Sequence, residues 1–264
     1  MSGNYVHGHH PSVLRSHTWR TAENSAGYLL PHLRPGMDVL DVGCGPGTIT
    51  ADLATRVPGG RVVGIDTSDE VLDKAADLAV AQGVENVELE KADVMALPYS
   101  AGAFDVVHAH QVLQHLQDPV GAVREMRRVL RPGGILAVRD ADYGGMRWFP
   151  DSDGLERWRD LYLTLTSHHY PDAGRRLSSW VQEAGFTDTT ATAGTWCFSE
   201  PEDRDWWSHT WAERVQHSSY ARHALDGGHA TQEQLAELAQ AWNDWAAHDD
   251  AWFVVVHGEV LARR

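Results

Sequence analysis

Short apolar runs alternate with longer amphipathic segments through the first half of the chain. The runs 38–42, 62–65, 87–90, 104–108 and 134–139 have the length and composition of buried β-strands. The intervening segments 48–56, 70–82 and 119–130 carry apolar residues at helical spacing. Strands that alternate with helices are typical of a parallel, doubly wound α/β sheet, whose ligands bind beyond the carboxyl ends of the strands.

The pattern differs at both ends of this core. A helix is predicted over 12–33, ended by Pro35 and Gly36, with core positions at Leu14, Ala22, Ala26, Leu29 and Leu30. After residue 139 we expect a polar loop over 140–150, helices over 154–166 and 175–184, and strands over 187–198 and 252–260. A helical insertion of about 202–248 separates those two strands. We therefore expect one domain, 1–264, made of an arm (1–34), a core (35–140) and a remainder (141–264).

One loop carries the clearest chemical signal in the chain. An apolar run from Val39 leads into glycines at every second position, Gly43, Gly45 and Gly47, and a second strand ends about 20 residues later at Asp66. The glycines permit a tight turn and the close approach of a ligand, while an acidic residue at that separation is placed to accept hydrogen bonds from two ribose hydroxyls. The loop therefore predicts a ligand that contains a nucleoside.

The glycine spacing indicates which nucleoside is bound. A dinucleotide fingerprint requires Gly-x-Gly-x-x-Gly, but Thr48 stands where its last glycine belongs, and Pro46 removes one backbone N–H from the loop. An acidic residue followed by Gly-x-Gly-x-Gly instead resembles the first motif of the class I S-adenosylmethionine (SAM) dependent methyltransferases.

The resemblance continues in order through 91–94, 104–110, 114–119 and 131–134, covers about 35–140, and is closest to enzymes of ubiquinone and menaquinone biosynthesis. It implies a seven-stranded sheet, SAM as cofactor and S-adenosylhomocysteine as product. It also implies that Asp66 binds the ribose, that Asp93 and the Val94 amide bind the adenine, and that His110 and Gln111 lie beside the methionine moiety. The other expected cofactor residues are Asp41, Gly43, Cys44, Gly45, Gly47, Thr67 and His115.

The amino-terminal arm supplies one further expected cofactor residue. In related enzymes similar arms fold over the cofactor, and here Arg20 or His17 would reach the cofactor's carboxylate. A solvated helix face is the alternative interpretation of this segment.

Methyl transfer is an in-line displacement at carbon, for which alignment and a desolvated pocket matter most and a general base is optional. The candidate catalytic residues follow the predicted fourth and fifth strands or lie in the expected cover of the pocket: His110, Asp140, Asp142, Tyr143, His168 and His169. Packing, loop capping or solvation is the alternative role for each.

Composition limits the classes of partner and the cellular location that we expect. The chain has 22 Lys and Arg against 37 Asp and Glu, a net charge of -15, which disfavours nucleic acid as a partner. Its two cysteines, Cys44 and Cys197, indicate no disulfide framework, and the chain shows neither a secretion signal nor an apolar run of about 20 residues. A cytoplasmic protein without a membrane span is expected. His7, His9 and His10 lack a second ligand group, so no metal is predicted.

The insertion holds five of the 11 tryptophans, at positions 206, 207, 211, 242 and 245. These rings either dock helices onto the sheet or line a substrate pocket. We expect transfer to a small molecule, a secondary or specialised metabolite. The competing interpretations are a protein that binds SAM or S-adenosylhomocysteine without catalysis and a nicotinamide-dependent oxidoreductase. The exposed arm is also compatible with a homodimer.

Overall fold

A computed structural model describes residues 19–264, and within them the chain forms two compact units. The large unit comprises the described part of His17–Asp140 together with Ala173–Gly194 and His257–Arg264. The small unit comprises Ala141–Asp172 and Thr195–Val256. No helix among residues 19–264 is both long and apolar enough to cross a membrane.

Seven strands form one sheet: β1 Val39–Val42, β2 Val62–Asp66, β3 Val87–Lys91, β4 Phe104–His110, β5 Leu130–Phe149, β6 Asp188–Phe198 and β7 Trp252–Arg263. Their order in the sheet is β3-β2-β1-β4-β5-β7-β6. Parallel pairing joins β1 to β2 and β4, β2 to β3, and β4 to β5, whereas β7 is antiparallel. This topology confirms the predicted seven-stranded, doubly wound sheet.

The central strands form where continuous apolar runs can be buried on both faces. All four residues of β1 are buried, as are the first four of β2, a pattern typical of parallel strands covered by helices. In register, Val42 pairs with Ile65 of β2 and with Ala109 of β4. The glycine loop after β1, Asp66 at the end of β2 and His110 at the end of β4 therefore lie at the carboxyl ends of three adjacent strands.

Nine α-helices lie in the described part of the chain. The predicted helices agree with them to within two residues, except at the amino terminus. The helices are α1 Ala22–Ala26, α2 Thr48–Arg56, α3 Asp69–Gln82, α4 Pro119–Val129, α5 Asp153–Leu165, α6 Ala173–Glu183, α7 Pro201–His217, α8 Ser219–Asp226 and α9 Gln232–Ala246.

The helix predicted over 12–33 is shorter and interrupted where it falls on described residues, since only Ala22–Ala26 is α-helical there. Thr21 and Asn24 form a capping box that starts α1, which ends at Gly27, and a separate 3-10 turn, Leu30–His32, follows with a proline in its first turn. A proline lacks the N–H that a continuous helix needs. Ala22, Ala26 and Leu29 are buried as predicted, whereas Leu14 lies outside the described residues.

The loop predicted over 140–150 is also wrong, because β5 continues to Phe149. Ala141 and Met146 are buried within this extension, and β7 lies next to β5 in the sheet. Hydrogen bonds to a neighbouring strand stabilise extended backbone even where glycines and charges dominate the local sequence.

The core of the small unit is aromatic. The Trp158 ring lies edge-on to those of Trp211 and Trp242, with centroids 4.5 and 4.8 Å away, and Trp242 lies 5.2 Å from Phe253 of β7. Trp207, Trp211, Trp242 and Trp245 of the insertion are all buried. These contacts favour the packing interpretation for these four rings.

Candidate active site

The glycine loop between β1 and α2 adopts a backbone conformation that side chains oppose. Gly43, Gly45 and Gly47 have φ angles of 68°, 56° and 82°. A Cβ at Gly43 would stand 2.5 Å from a methyl carbon of Val112, and one at Gly47 would stand 2.8 Å from the Cβ of Ala75. Both the left-handed backbone and the close packing therefore require glycine.

Asp66 and its neighbour fasten this loop to the end of β2. The Cys44 N–H donates to the Ile65 carbonyl at 2.9 Å, and the Gly45 N–H donates to Asp66 Oδ2 at 3.2 Å. Asp66 Oδ1 accepts from the Ser68 N–H at 3.1 Å. Each carboxylate oxygen has a second lone pair, so Asp66 retains acceptor capacity for ribose hydroxyls. Burial raises the pKa of the Cys44 thiol, which makes it a poor nucleophile.

Asp41 lies in a buried hydrogen-bond chain beneath the loop. Its Oδ2 accepts from Thr50 Oγ1 of α2 at 2.6 Å, and its Oδ1 lies 2.7 Å from His108 Nδ1 of β4. These contacts tie β1, β4 and α2 together at the base of the loop. The sequence predicts that Asp41 binds the cofactor. In the structure, however, both oxygens of its carboxylate contact protein side chains. The sequence pattern does not predict these roles of Thr50 and His108.

The predicted adenine residues follow β3. Asp93 is exposed, and its Oδ1 accepts from the Met95 N–H at 2.9 Å, capping the 3-10 turn Val94–Ala96. Val94 is buried, and Thr67, which follows β2, is exposed. The capping contact fixes the direction of the Asp93 side chain.

Gln111, directly after β4, is the one non-glycine residue with a positive φ angle, 55°, among residues 19–264. Its N–H donates to the Arg139 carbonyl at 2.7 Å. Its side-chain Oε1 accepts from Arg20 Nη2, and its Nε2 lies beside His257 Nε2, each at 2.9 Å. Gln111 and Arg20 were both expected near the methionine moiety, and the structure brings them together. The sequence pattern does not predict that Arg139 and His257 contact Gln111.

His110 is a buried, neutral imidazole. Burial and the nearby Arg139 and Arg20 guanidiniums lower the pKa of His110 well below its usual range. Arg139 Nη1 lies 3.5 Å from His110 Nδ1, and the His257 ring is stacked 6.0 Å away. Since a guanidinium only donates, Nδ1 is the acceptor of this long contact and Nε2 carries the proton. In this tautomer His110 presents an N–H, not a basic nitrogen, at Nε2.

Arg139 carries a charge into the centre of the sheet. Its side chain is 1% exposed and its Nε donates to Glu259 Oε1 of β7 at 3.1 Å, while Thr192 Oγ1 of β6 donates to Glu259 Oε2 at 3.0 Å. Burial lowers the pKa of Arg139 to about 10, which still leaves it charged at pH 7. These two contacts of Glu259 link three adjacent strands, β5, β7 and β6.

Asp140, the last residue of the first segment of the large unit, is fully buried. Its Oδ1 accepts from the Gln114 N–H at 3.3 Å, and Oδ2 lacks a hydrogen-bond partner among the described residues. Burial raises the pKa of Asp140 to about 8. His115, another expected cofactor residue, lies within hydrogen-bond distance of the Gln114 side chain, at 3.0 Å.

The remaining candidate catalytic residues lie in the small unit. Asp142 and Tyr143 belong to β5, where the Tyr143 N–H donates to the Pro171 carbonyl at 2.8 Å and its ring packs edge-on to Tyr162 at 4.9 Å. The rings of His168 and His169 follow α5 and lie 4.1 Å apart. The large unit holds His110 and Asp140, so the candidates divide between the units.

Other sequence predictions fall outside the described residues. His17 and the cluster of His7, His9 and His10 precede residue 19. Between residues 19 and 264, no group of three His, Cys, Asp or Glu side chains is arranged to hold a metal ion.

Comparisons with known proteins give one consistent result. Residues 33–185 match the family model of a methyltransferase domain. Over 98% of its length the chain is 33% identical to 96% of an uncharacterized methyltransferase of Schizosaccharomyces pombe. It is also similar to 27-O-demethylrifamycin SV methyltransferase of Amycolatopsis mediterranei (41% identity, 49% of this chain, 47% of that one) and to demethylmenaquinone methyltransferase of Lactococcus lactis (38% identity, 41% and 43%).

The fold has close counterparts among solved structures. The YcgJ protein of Bacillus subtilis superposes with a TM-score of 0.57 at 17% identity, covering 90% of this chain and 97% of that protein. At this identity the likeness concerns the fold alone.

Proposed function

The chain belongs to the class I SAM-dependent methyltransferases, as its motifs predict, and on that basis we propose that it methylates a small molecule, a secondary or specialised metabolite. SAM is its cofactor and S-adenosylhomocysteine its product. The observation that carries the proposal is the glycine loop, whose Gly45 amide is held by Asp66 at the end of the adjacent strand. That contact presents the loop backbone and the carboxylate to the same ligand.

The proposed cofactor contacts follow the edge of the sheet from β3 to β4. Asp66, next to Thr67, binds the ribose hydroxyls, and Asp93 with the Val94 amide binds the adenine. The loop from Gly43 to Gly47 gives the backbone room for the ligand. Arg20, His110 and Gln111 hold the methionine moiety, while Asp41 supports the loop from below through Thr50 and His108.

The transfer itself breaks the bond between sulfur and the methyl carbon and forms a bond from that carbon to the acceptor atom. The electron pair of the broken bond stays on sulfur, and an acceptor that carries a proton loses it to a base or to water. We propose that the protein contributes mainly alignment and exclusion of water. His110, which presents an N–H, orients polar groups, and Asp140, Asp142, Tyr143, His168 and His169 remain the candidate bases.

A small molecule is the acceptor class that best fits these observations. The net charge of -15 opposes binding of nucleic acid. Two relatives have names that describe small acceptors, a demethylated rifamycin and demethylmenaquinone. The rifamycin relative favours a specialised metabolite in particular.

Two measurements test the proposal. Calorimetric titration with S-adenosylhomocysteine and with NADH separates cofactor classes, and we expect micromolar binding of the first alone. Incubation with SAM labelled in its methyl group and a panel of metabolites should then transfer label to an acceptor. Binding of NADH alone would support the oxidoreductase, while tight binding without transfer to any acceptor would support the non-catalytic alternative. Light scattering of the purified protein tests whether it forms a homodimer, with which the amino-terminal arm is compatible.

A further inference from the structure

We propose that Gln111 is a positioning residue, which holds the Arg20 guanidinium in place for the carboxylate of the cofactor's methionine moiety. The inference rests on the proposed function, in which Arg20 binds that carboxylate. It adds a hydrogen-bond relay, from the buried His257 through Gln111 to the half-buried Arg20, and gives a reason for the unusual backbone of Gln111.

The backbone of Gln111 is held in a conformation that costs energy. A non-glycine residue with φ near 55° is uncommon, and such conformations persist where surrounding contacts impose them. Here the Gln111 N–H donates to the Arg139 carbonyl at 2.7 Å, next to the register pair of His110 and Arg139. This turn directs the Gln111 side chain toward Arg20 and His257.

The partners of Gln111 fix the orientation of its amide. A guanidinium only donates, so the Gln111 atom that faces Arg20 must be the oxygen, and the NH₂ group therefore faces His257. His257 Nε2 then accepts, which places its ring proton on Nδ1. Reversing the amide would oppose two N–H donors at Arg20, so the relay has one arrangement.

Burial makes this arrangement rigid. His257 is fully buried, Gln111 is 9% exposed, and their contact joins the turn after β4 to strand β7. Arginine has a long side chain with many rotamers, and holding it in place before the ligand arrives reduces the entropy lost on binding. A guanidinium has five N–H donors in a planar fork, so it can bind Gln111 and a carboxylate together.

The test compares two ligands that differ only in the part that Arg20 would bind. S-adenosylhomocysteine contains the amino acid, whereas 5′-methylthioadenosine keeps the nucleoside and the thioether without it. Gln111→Asn keeps an amide on a residue that tolerates positive φ well, but its side chain is one methylene too short to bridge both partners. Gln182→Asn, at an exposed position of α6, is the matched control.

We expect Gln111→Asn to weaken S-adenosylhomocysteine binding about 5- to 20-fold in calorimetry and to leave 5′-methylthioadenosine binding within about twofold. Arg20→Ala should show the same selectivity with a larger loss. The double variant should bind no more weakly than Arg20→Ala, because Gln111 acts through Arg20. Gln182→Asn should match the wild type with both ligands.

A second variant, His257→Phe, tests the same relay if Gln111→Asn does not fold. His257→Phe removes the acceptor of the Gln111 amide while keeping a planar aromatic ring, and it should give the same ligand selectivity, on a smaller scale. Equal weakening of both ligands, or additive losses in the double variant, would overturn the positioning role. A wild-type protein that binds neither ligand would overturn the proposed function instead, so the two failures are distinct.

Discussion

Asp66 Oδ2 accepts the backbone N–H of Gly45 at 3.2 Å, so in the proposed site one carboxylate both shapes the glycine loop and binds the ribose. We therefore expect loss of this side chain to remove two contributions to cofactor binding. One is direct, through hydrogen bonds to the ligand, and the other is indirect, through the position of the loop.

Asp66→Ala should weaken S-adenosylhomocysteine binding by roughly 1.5–3 kcal/mol, the range for hydrogen bonds to a charged group. Calorimetric titration measures the loss. Asp77→Ala on the exposed face of α3 serves as the control and should bind like the wild type. Equal affinities of the Asp66 variant and the wild type would remove Asp66 from the cofactor site.

Gly47→Ala should be more harmful than Gly83→Ala. Both glycines have positive φ angles, 82° and 66°, so alanine strains the backbone at each by about 1–2 kcal/mol. A Cβ at Gly47 would also stand 2.8 Å from that of Ala75, whereas nothing lies within 4 Å at Gly83. Urea denaturation and ligand titration of both variants measure the difference. Identical losses of stability, with cofactor affinity unchanged at Gly47, would show that the loop absorbs the clash.

Glu259→Gln should lower the free energy of unfolding by roughly 3–5 kcal/mol, because it removes the carboxylate charge that accepts from the buried Arg139 guanidinium. The side chains of Arg139 and Glu259 are 1% and 12% exposed. Glu88→Gln is the matched control, since the Arg61 and Glu88 side chains are 45% and 51% exposed and such pairs contribute about 0–1 kcal/mol. Chemical denaturation distinguishes these outcomes, and losses of similar size at both sites would contradict the argument.

Asp140→Asn should become progressively more stable than the wild type as the pH rises. The pKa of Asp140 is raised to about 8, so between its unfolded value near 4 and pH 8 the folded state holds a proton that the unfolded state has released. This term therefore reduces wild-type stability as the pH rises through that window. Asparagine stays neutral, and its oxygen can still accept from the Gln114 N–H.

Thermal unfolding at pH 5, 7 and 9 measures this effect as the difference in melting temperature between Asp140→Asn and the wild type. The difference should grow from pH 5 to pH 9. The comparison is Asp142→Asn, at a half-buried position two residues further along β5. A difference for Asp140→Asn that does not change with pH would show that its carboxyl group has an ordinary pKa.

The part of the site that the sequence predicts depends on local sequence patterns, namely where each strand ends and how the glycines are spaced. Gly43, Asp66 and His110 each follow an apolar strand, and parallel pairing alone brings them to one edge of the sheet. Glycine spacing likewise anticipates the left-handed turn at Gly43, Gly45 and Gly47, because few other residues adopt that backbone. These features need no knowledge of distant contacts.

The remaining features depend on which distant strands become neighbours. Strand β7 lies between β5 and β6, so His257 reaches Gln111 and Glu259 reaches Arg139 across more than 100 residues of chain. Nothing in the local composition of either partner indicates the contact. Because β7 lies next to β5, the polar segment after Arg139 also has a strand to pair with. The segment predicted as a loop is therefore part of β5.

The uneven placement of the tryptophans gives the protein an optical reporter. Nine of the 11 indoles belong to the small unit and only Trp19 and Trp180 to the large one, within the described part of the chain. Intrinsic tryptophan fluorescence therefore reports mainly on the small unit, and excitation energy passes among rings whose centroids lie 4.5–6.0 Å apart. Far-ultraviolet circular dichroism records both units. Superimposable melting curves from the two signals would mean that the units unfold as one cooperative body, and separated curves would assign a transition to each.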